Sequence, residues 1–477
     1  MTKFQSPKGT KDVLPSESGV WQYLESVFYD VADYFGFSEI RVPTFEQTEL
    51  YQRGVGESSD VVRKEMYTFD DKGGRSMTLR PEITAGVMRA FIQNGMSSLP
   101  APQKFYYNCS CFRYENMQKG RLREFHQFGC ELLGAEGPLA DVELISLFVV
   151  FLENLDLELS EEGGIELRIN SIGCPKCRKA YTEKLRAFLQ SHDEELCQDC
   201  LERMQLNPLR VFDCKVDSCQ HILKEAPLLL DNLCEDCQKH FEEVKKNLTA
   251  LSIPFVVDPY IVRGLDYYTR TVFEFVSTNV GTQGTICGGG RYDPLIAEMG
   301  GPDTPGVGWA MGVERLILEL ESRHMLDEYK EVGAPDIFVV SLPGYETQAY
   351  QLVMNLRREY IVAEADLMGR SVKSQTKAAD RLKASFITYI GEKEWESQTV
   401  VLRQMETGEE CSVEIDKIGD FIQSVRLGAL DIDFADLLGE EEYPDEIEET
   451  EETSFKLYNL GKNRKNQQKN AENEDEE

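Results

Sequence analysis

No stretch of the sequence is apolar enough to cross a bilayer; the most apolar run, Ile145 to Leu152, is far shorter than the roughly 20 residues a spanning helix needs. The opening Met1-Thr-Lys-Phe-Gln-Ser-Pro7 has no apolar core of a signal peptide, so a cytoplasmic location without membrane association is expected. Histidine is scarce: five residues scattered at 126, 192, 221, 240 and 324 argue against a His-centred catalytic triad. Walker-type Gly-x-x-x-x-Gly-Lys-Ser/Thr does not occur, and the glycines near Gly288 do not open a βαβ unit, which removes P-loop and Rossmann enzymes. Positive charge is short as well, 51 Lys and Arg against 84 Asp and Glu, for a net −33. The acidic end from Asp431 to Glu477 carries −12 of this and the remainder −21, so nucleic-acid contact would have to rest on local patches.

What the sequence does have is a basic turn between two strand-like runs. Cys111-Phe-Arg-Tyr-Glu-Asn-Met-Gln-Lys-Gly-Arg-Leu-Arg-Glu-Phe-His-Gln-Phe-Gly-Cys130-Glu131 carries Arg113, Lys119, Arg121 and Arg123 in its polar middle, with alternating residues on both sides. Such a hairpin can hold a polyanion, because guanidinium forks meet phosphate in a planar, bidentate way.

Around it, helical spacing of Trp21, Leu24, Val27, Phe28, Val31, Tyr34 and Phe35 predicts a helix that Gly36 stops. A strand over Ser38 to Val42 follows, and Thr78 to Gly86 reads as a strand turning into a helix that runs to about Asn94. Ala140 to Leu155 reads as an apolar helix and Ile165 to Ile169 as a strand. After a segment of short helices, strands resume at Phe255 to Val257 and Thr271 to Val276. The glycine-rich Cys287 to Asp293 then precedes a strand at Gly306 to Met311 and a helix at Gly312 to Ser322. Mixed strands broken by an insert predict an α+β fold, an antiparallel sheet flanked by helices. Beyond 324–334, strands and helices alternate as in a small α/β domain. The expected limits are 1–170 and 255–325 for a two-part core, 171–254 for a helical, cysteine-rich insert, 334–428 for the α/β domain and 430–477 for a disordered acidic tail.

Eight of the thirteen cysteines fall in the insert, as Cys174-x2-Cys177, Cys197-x2-Cys200, Cys214-x4-Cys219 and Cys234-x2-Cys237. Paired thiols at two-residue spacing suit half-sites of structural tetrahedral Zn²⁺, and eight could form two four-thiolate sites. Plain reduced thiols and redox pairs fit the same spacing.

Several segments together resemble the class II aminoacyl-tRNA synthetases, and from Pro7 to about Gly428 the likeness is to the histidyl-tRNA synthetase family. Pro7-Lys-Gly-Thr-Lys-Asp-Val-Leu-Pro15 resembles that family's opening; the first helix, strand and Pro43 resemble the dimer-forming first class motif. Phe112-Arg-Tyr-Glu115 with its hairpin partner resembles the second, and Gly306-Val-Gly-Trp-Ala-Met-Gly-Val-Glu-Arg315 the third. Arg263-Gly-Leu-Asp-Tyr-Tyr-Thr-Arg270 resembles a segment peculiar to the histidine enzymes, and Gly369-Arg-Ser-Val-Lys-Ser-Gln375 a part of their anticodon-binding domain.

The resemblance implies a homodimer that joins L-histidine to its tRNA through a histidyl-adenylate, with ATP as substrate and Mg²⁺ bridging the phosphates. It implies catalytic roles for Arg113 on the α-phosphate, Arg263 between carboxylate and phosphate, and Gln127 in proton transfer. Arg121 and Arg315 would meet the outer phosphates, with Glu115 and Gly312 also at the nucleotide and Glu115 or Asp293 offered to the metal. Glu82, Thr84 and Gln127 would take the histidine ammonium, and Glu131 with Tyr268 its ring, with Tyr267 close by. The glycines at 288 to 290, 306, 308 and 312 are expected to let backbone approach adenine and ribose. Arg370, Lys373 and Lys377 would offer a basic patch to the anticodon stem.

Two departures stand out: Ile83 sits where the family usually has glycine, and Asn116-Met117 replaces Arg-Pro, which removes a cation from the hairpin turn. A rival reading is a catalytically silent synthetase paralogue that regulates histidine biosynthesis. Such regulators lack the anticodon-binding domain, whereas its counterpart is present here.

Overall fold

The structure, a computed structural model, describes residues 4–56, 59–159, 164–277, 279, 284–330 and 333–426. The acidic segment expected to be disordered lies outside them. Two compact units divide between residues 331 and 332.

In the first unit, α1 (Pro15–Tyr34) buries Val20, Leu24, Phe28 and Val31, the stripe its spacing predicts. It is followed by β1 (Ser38–Glu39), shorter than expected, then β2 (Phe45–Gln47), α2 (Thr48–Val55), β3 (Thr68–Asp70), β4 (Ser76–Leu79) and α3 (Thr84–Gln93). The hairpin is β5 (Gln103–Phe112) and β6 (Glu124–Leu133), after which come α4 (Leu139–Glu153) and β7 (Ile165–Ser171). The insert supplies α5 (Pro175–Gln190), α6 (Gln198–Leu206), α7 (Asp217–Leu223) and α8 (Glu235–Ala250). Its first and last helices have 16 residues each, so the expectation of short helices is corrected there. β8 (Val256–Val257), β9 (Thr269–Ser277), β10 (Thr285–Arg291), α9 (Leu295–Glu298), β11 (Gly306–Gly312) and α10 (Val313–Ser322) complete the unit.

Eight strands form one sheet in the order β1-β5-β6-β11-β10-β9-β7-β8. The six central strands pair antiparallel, and only the edge pairs β1/β5 and β7/β8 are parallel. The glycine-rich segment expected to precede a strand is itself β10. Its glycines pair with both β9 and β11, and bare backbone there lets the neighbouring side chains lie flat on the sheet.

Period-two alternation sends Tyr106, Phe128, Cys130 and Trp309 to one face and Phe105, Tyr107, Cys109 and Cys111 to the other. The first face packs under α1, α4 and α10; α4 is buried along most of its length, which explains its lack of a polar side. The Trp309 Nε1–H donates to the Leu144 carbonyl at 3.0 Å and ties β11 to α4. The second face shares a continuous core with α3 and the insert.

A buried knot fixes the end of β10. Arg291, fully buried, directs its guanidinium at Asp141 on α4 and donates to the carbonyls of Ala135 and Gly137, both at 2.9 Å. His240 on α8 stands 3.3 Å from the same carboxylate. Burial alone would raise the Asp141 pKa, but Arg291 and His240 outweigh it and hold the carboxyl at about 2.

The second unit contains β12 (Ile337–Ser341), α11 (Glu346–Arg358), β13 (Ala363–Ala365), α12 (Val372–Arg381), β14 (Phe386–Ile390), α13 (Glu392–Ser397), β15 (Thr399–Gln404), β16 (Glu410–Glu414) and α14 (Ile418–Arg426). Its sheet runs β13-β12-β14-β15-β16, parallel over the first three strands and antiparallel at β15 and β16. Successive residues of β12 enter cores on opposite faces, Ile337 and Val339 one way, Phe338 and Val340 the other, as expected of a strand covered on both sides.

Candidate active site

On the second face of the large sheet lies a cleft of about 210 Å³. Its walls include Glu82, Thr84, Arg113, Glu115, Arg121 and Gln127 from the first half of the core, and Arg263, Tyr267, Tyr268, Gly312 and Arg315 from the second. Residues far apart in sequence meet because β6 and β11 are neighbours: Gln127 lies opposite Gly312, and Glu131 opposite Gly308.

One side of the cleft is a cluster of cations. Arg113 extends from the end of β5, donates its Nε–H to the Pro81 carbonyl at 2.8 Å and lies over the Phe125 ring. Glu115 stands 2.9 Å from Arg121 and 3.9 Å from Arg113. Arg315, in the first turn of α10, donates to the Thr285 carbonyl at 2.6 Å. Burial and the nearby charges of Arg121 and Arg113 hold its pKa below the ordinary value, the mark of positive groups crowded together. Nε of Arg121 and Nε of Arg263 are buried without a hydrogen-bond partner among the described residues. A site with several guanidiniums and spare donors suits a polyphosphate.

Arg263 approaches from the opposite wall and pairs with Glu274 of β9. Burial would lower its pKa, but the Glu274 charge outweighs that and raises it. Glu274 also accepts the Thr285 hydroxyl at 2.9 Å.

Below the arginines is a buried polar pocket. Glu131 is almost wholly buried, and its carboxylate accepts from the Thr84 hydroxyl at 2.7 Å, the Tyr107 hydroxyl at 3.2 Å and the Tyr292 hydroxyl. Burial raises its pKa to about 8, against the opposing pull of those hydrogen bonds. Tyr267, Tyr268 and Tyr292 form an aromatic wall, with ring centroids 4.6 to 6.5 Å apart. Glu82, just before α3, accepts the Ala85 N–H of its first turn at 2.9 Å, and burial raises its pKa too. Gln127 Oε1 stands 3.3 Å from the Cys111 thiol. Ile83 is buried and belongs to the core of this face, although it also borders the cleft.

Two expectations change here. Most of the glycines expected beneath adenine and ribose have their Cβ space taken by the protein: Gly288 by the Arg263 guanidinium, Gly306 by Tyr292, and Gly308 by the Glu131 carboxylate. Gly312 is the open one, with Arg315 carbon at 3.6 Å. Asp293, offered to a metal, is bound instead to Arg291 at 3.1 Å and stands 3.8 Å from Arg270. Sequence reasoning also missed Tyr107, Tyr292 and Glu274. The only signal for Tyr292 was its place after the glycine run, and for Glu274 a lone carboxylate in an apolar strand.

The eight insert cysteines form two clusters, Cys174, Cys177, Cys234 and Cys237 in one and Cys197, Cys200, Cys214 and Cys219 in the other, with all sulfurs of a cluster within 4.8 Å of one another. In the second unit Lys373 and Lys377 are exposed on α12, with Arg370 just before it. No helix among the described residues is long and apolar enough to cross a membrane.

The family model described as histidyl-tRNA synthetase matches residues 9–316, and that of the anticodon-binding domain matches 336–425. The histidine–tRNA ligase of Acetivibrio thermocellus is 52% identical over 416 residues, 87% of this chain and 98% of its own length. That of Clostridium botulinum is 48% identical over 420 residues, 88% of this chain and 99% of its own. The apo histidyl-tRNA synthetase of S. aureus superposes with a TM-score of 0.74 at 37% identity, covering 88% of this chain and all of that one. With this agreement over both units and a cleft assembled from the segments that carry the likeness, the chain belongs to the histidyl-tRNA synthetase family.

Proposed function

We propose that the chain activates L-histidine with ATP and transfers it to its tRNA. The histidine carboxylate attacks the α-phosphate, pyrophosphate leaves, and a hydroxyl of the terminal tRNA ribose then displaces AMP from the histidyl-adenylate. No protein nucleophile is required; the residues position the substrates and meet charge as it develops. The observation that carries this reading is the meeting of Arg113, Arg121, Arg263 and Arg315 in one cleft whose lining residues Thr84, Tyr107 and Tyr292 are held by the buried Glu131.

On this reading Arg113 and Arg263 hold the reacting phosphate and carboxylate, while Arg121 and Arg315 take the outer phosphates. Glu82, Thr84 and Gln127 surround the ammonium. Thr84 donates to Glu131, yet its oxygen retains lone pairs to accept from an ammonium. Glu131, already held by three hydroxyls and with Tyr268 and Tyr267 beside it, takes the imidazole; an apolar competitor could not supply the N–H that the ring adds to this set, which is how such a site rejects it. Gln127 takes part in the chain that passes the proton in the second step.

Glu115 offers hard oxygen donors beside the phosphate-binding cations, as Mg²⁺ requires, and the ion would neutralise phosphate charge there. The two thiol clusters hold structural zinc. The second unit binds the anticodon stem through Arg370, Lys373 and Lys377, and the enzyme works as a cytoplasmic homodimer. Sedimentation at micromolar concentration should show the dimer; monomer alone would refute it.

The test is pyrophosphate exchange into ATP against all twenty amino acids without tRNA. Exchange with histidine alone is expected; none with any amino acid, from a folded protein that binds ATP, would favour the silent paralogue.

A further inference from the structure

The pairing of the cysteines is nested. Cys174 and Cys177 open α5, Cys234 and Cys237 open α8, and these two helix starts meet. The second set closes inside that loop, from the start of α6 to α7. Sulfur separations of 3.7 Å for Cys174/Cys177, 3.9 Å for Cys174/Cys234 and 3.8 Å for Cys197/Cys214 match the edge of a tetrahedron. A Zn–S bond of about 2.3 Å gives an edge of about 3.8 Å. Backbone N–H groups of Cys234 and Cys197 donate to Cys177 and Cys219 at 3.1 and 3.2 Å, the outer hydrogen bonds that stabilise thiolate ligands.

Each cluster adjoins the segment 263–270 that carries Arg263. Gly173, next to Cys174, exchanges backbone hydrogen bonds with that segment's end: Arg270 N–H donates to Gly173 O at 2.9 Å, and the neighbouring Ile172 N–H to Arg270 O at 2.8 Å. Arg270 sits at φ 51°, a left-handed conformation that a non-glycine residue holds only when its surroundings impose it. A Cβ at Gly173 would lie 2.7 Å from the Cys177 Cβ, so the backbone here packs directly on a residue of the first cluster.

The second cluster reaches the middle of the same segment. Asp213, adjacent to Cys214, accepts from Arg210 Nε at 3.2 Å, and Arg210 Nη1 donates to the Gly264 carbonyl at 3.0 Å. Asn207 Nδ2 donates to Asp266 at 2.8 Å. Arg210, largely buried, also holds Asp60 at 3.1 Å. Gly264 follows Arg263 directly, so the position of Arg210 is passed to the substrate-facing cation.

We propose that the insert holds two nested zinc–tetrathiolate sites that brace the Arg263–Arg270 segment at its end and at its middle. This rests on the reading of the clusters as metal sites. Arg210 and Asn207 are positioning residues, acting through Gly264 and Asp266; none of the eight thiolates touches substrate.

The full chain, purified under reducing, chelator-free conditions, should contain two zinc ions by elemental analysis, and Cys214→Ser should contain one. Cys214→Ser should also raise KM for histidine in pyrophosphate exchange by about tenfold, the effect of about 1.4 kcal/mol in binding. Arg210→Gln, which spares every thiol and carries the test if the cysteine variant does not fold, should keep two zinc ions, raise the histidine KM similarly and lower kcat with it, since Arg263 also meets the reacting phosphate. No zinc, or iron in its place, overturns the metal assignment. Two zinc ions with an unchanged histidine KM in the Arg210 variant overturns the brace and leaves the metal reading intact.

Discussion

Gly288 and Arg263 are matched in shape: a methyl group built on Gly288 would lie 2.4 Å from the Arg263 guanidinium. The bare strand is the surface on which that cation rests, with Glu274 beside it. Gly288→Ala must displace the guanidinium, so its exchange rate should fall with that of Arg263→Ala, by about 10²- to 10³-fold for the loss of one preorganised group. Exchange within a few-fold of the parent in Gly288→Ala would show that the cation need not lie there.

Glu131 makes stability depend on pH. Its folded pKa is about 8, raised by burial from an ordinary 4.5, so between those values the folded chain keeps a proton that the unfolded chain releases. Stability from this group is full below the lower value, falls as pH rises through the window, and levels off above the upper one. Glu131→Gln cannot titrate, so melting temperatures at pH 5 and pH 8 should move in the variant's favour relative to the parent. A difference that stays constant with pH would contradict this.

A basic, polar turn between two alternating runs made Arg113 and Arg121 visible, but their roles, like those of Arg263 and Arg315, were legible only through the resemblance of whole segments to a family. Tyr107 and Tyr292 were not legible, since they reach Glu131 from β5 and from the residue after β10, and only the strand order brings those together. The cysteines show the same limit: spacing marks Cys174/Cys177 as a half-site but does not say that its partner is Cys234/Cys237 rather than the nearer Cys197/Cys200. The glycines were expected to open the site to adenine and ribose, whereas Gly288 of β10 makes room for Arg263, and Gly306 and Gly308 of β11 make room for Tyr292 and Glu131.

Asp141→Asn leaves the buried Arg291 charge without its fully buried carboxylate, with only the partly exposed Asp293 remaining. Breaking one side of such a pair costs about 3 to 5 kcal/mol. Urea denaturation should show a loss of that order. A loss below 1 kcal/mol would mean that the carbonyls of Ala135 and Gly137 and the remaining Asp293 suffice.

Removing the second unit by ending the chain at residue 331 should sharply reduce aminoacylation of tRNA and leave histidine-dependent exchange measurable, because every cleft residue precedes that boundary. Undiminished aminoacylation would refute a tRNA-binding role for α12 and its neighbours.

Arg168 and Ile169 of β7 lie opposite Val256 and Val257 of β8, so the chain leaves the sheet and returns to it on adjoining strands. For the catalytic strands, everything between is one excursion with its ends already joined. Closing such a loop costs only about 0.6 kcal/mol more for each doubling of its length. The excursion can therefore be lengthened, shortened or re-equipped without altering strand register in the sheet, which separates the fold of the cleft from that of its outer support.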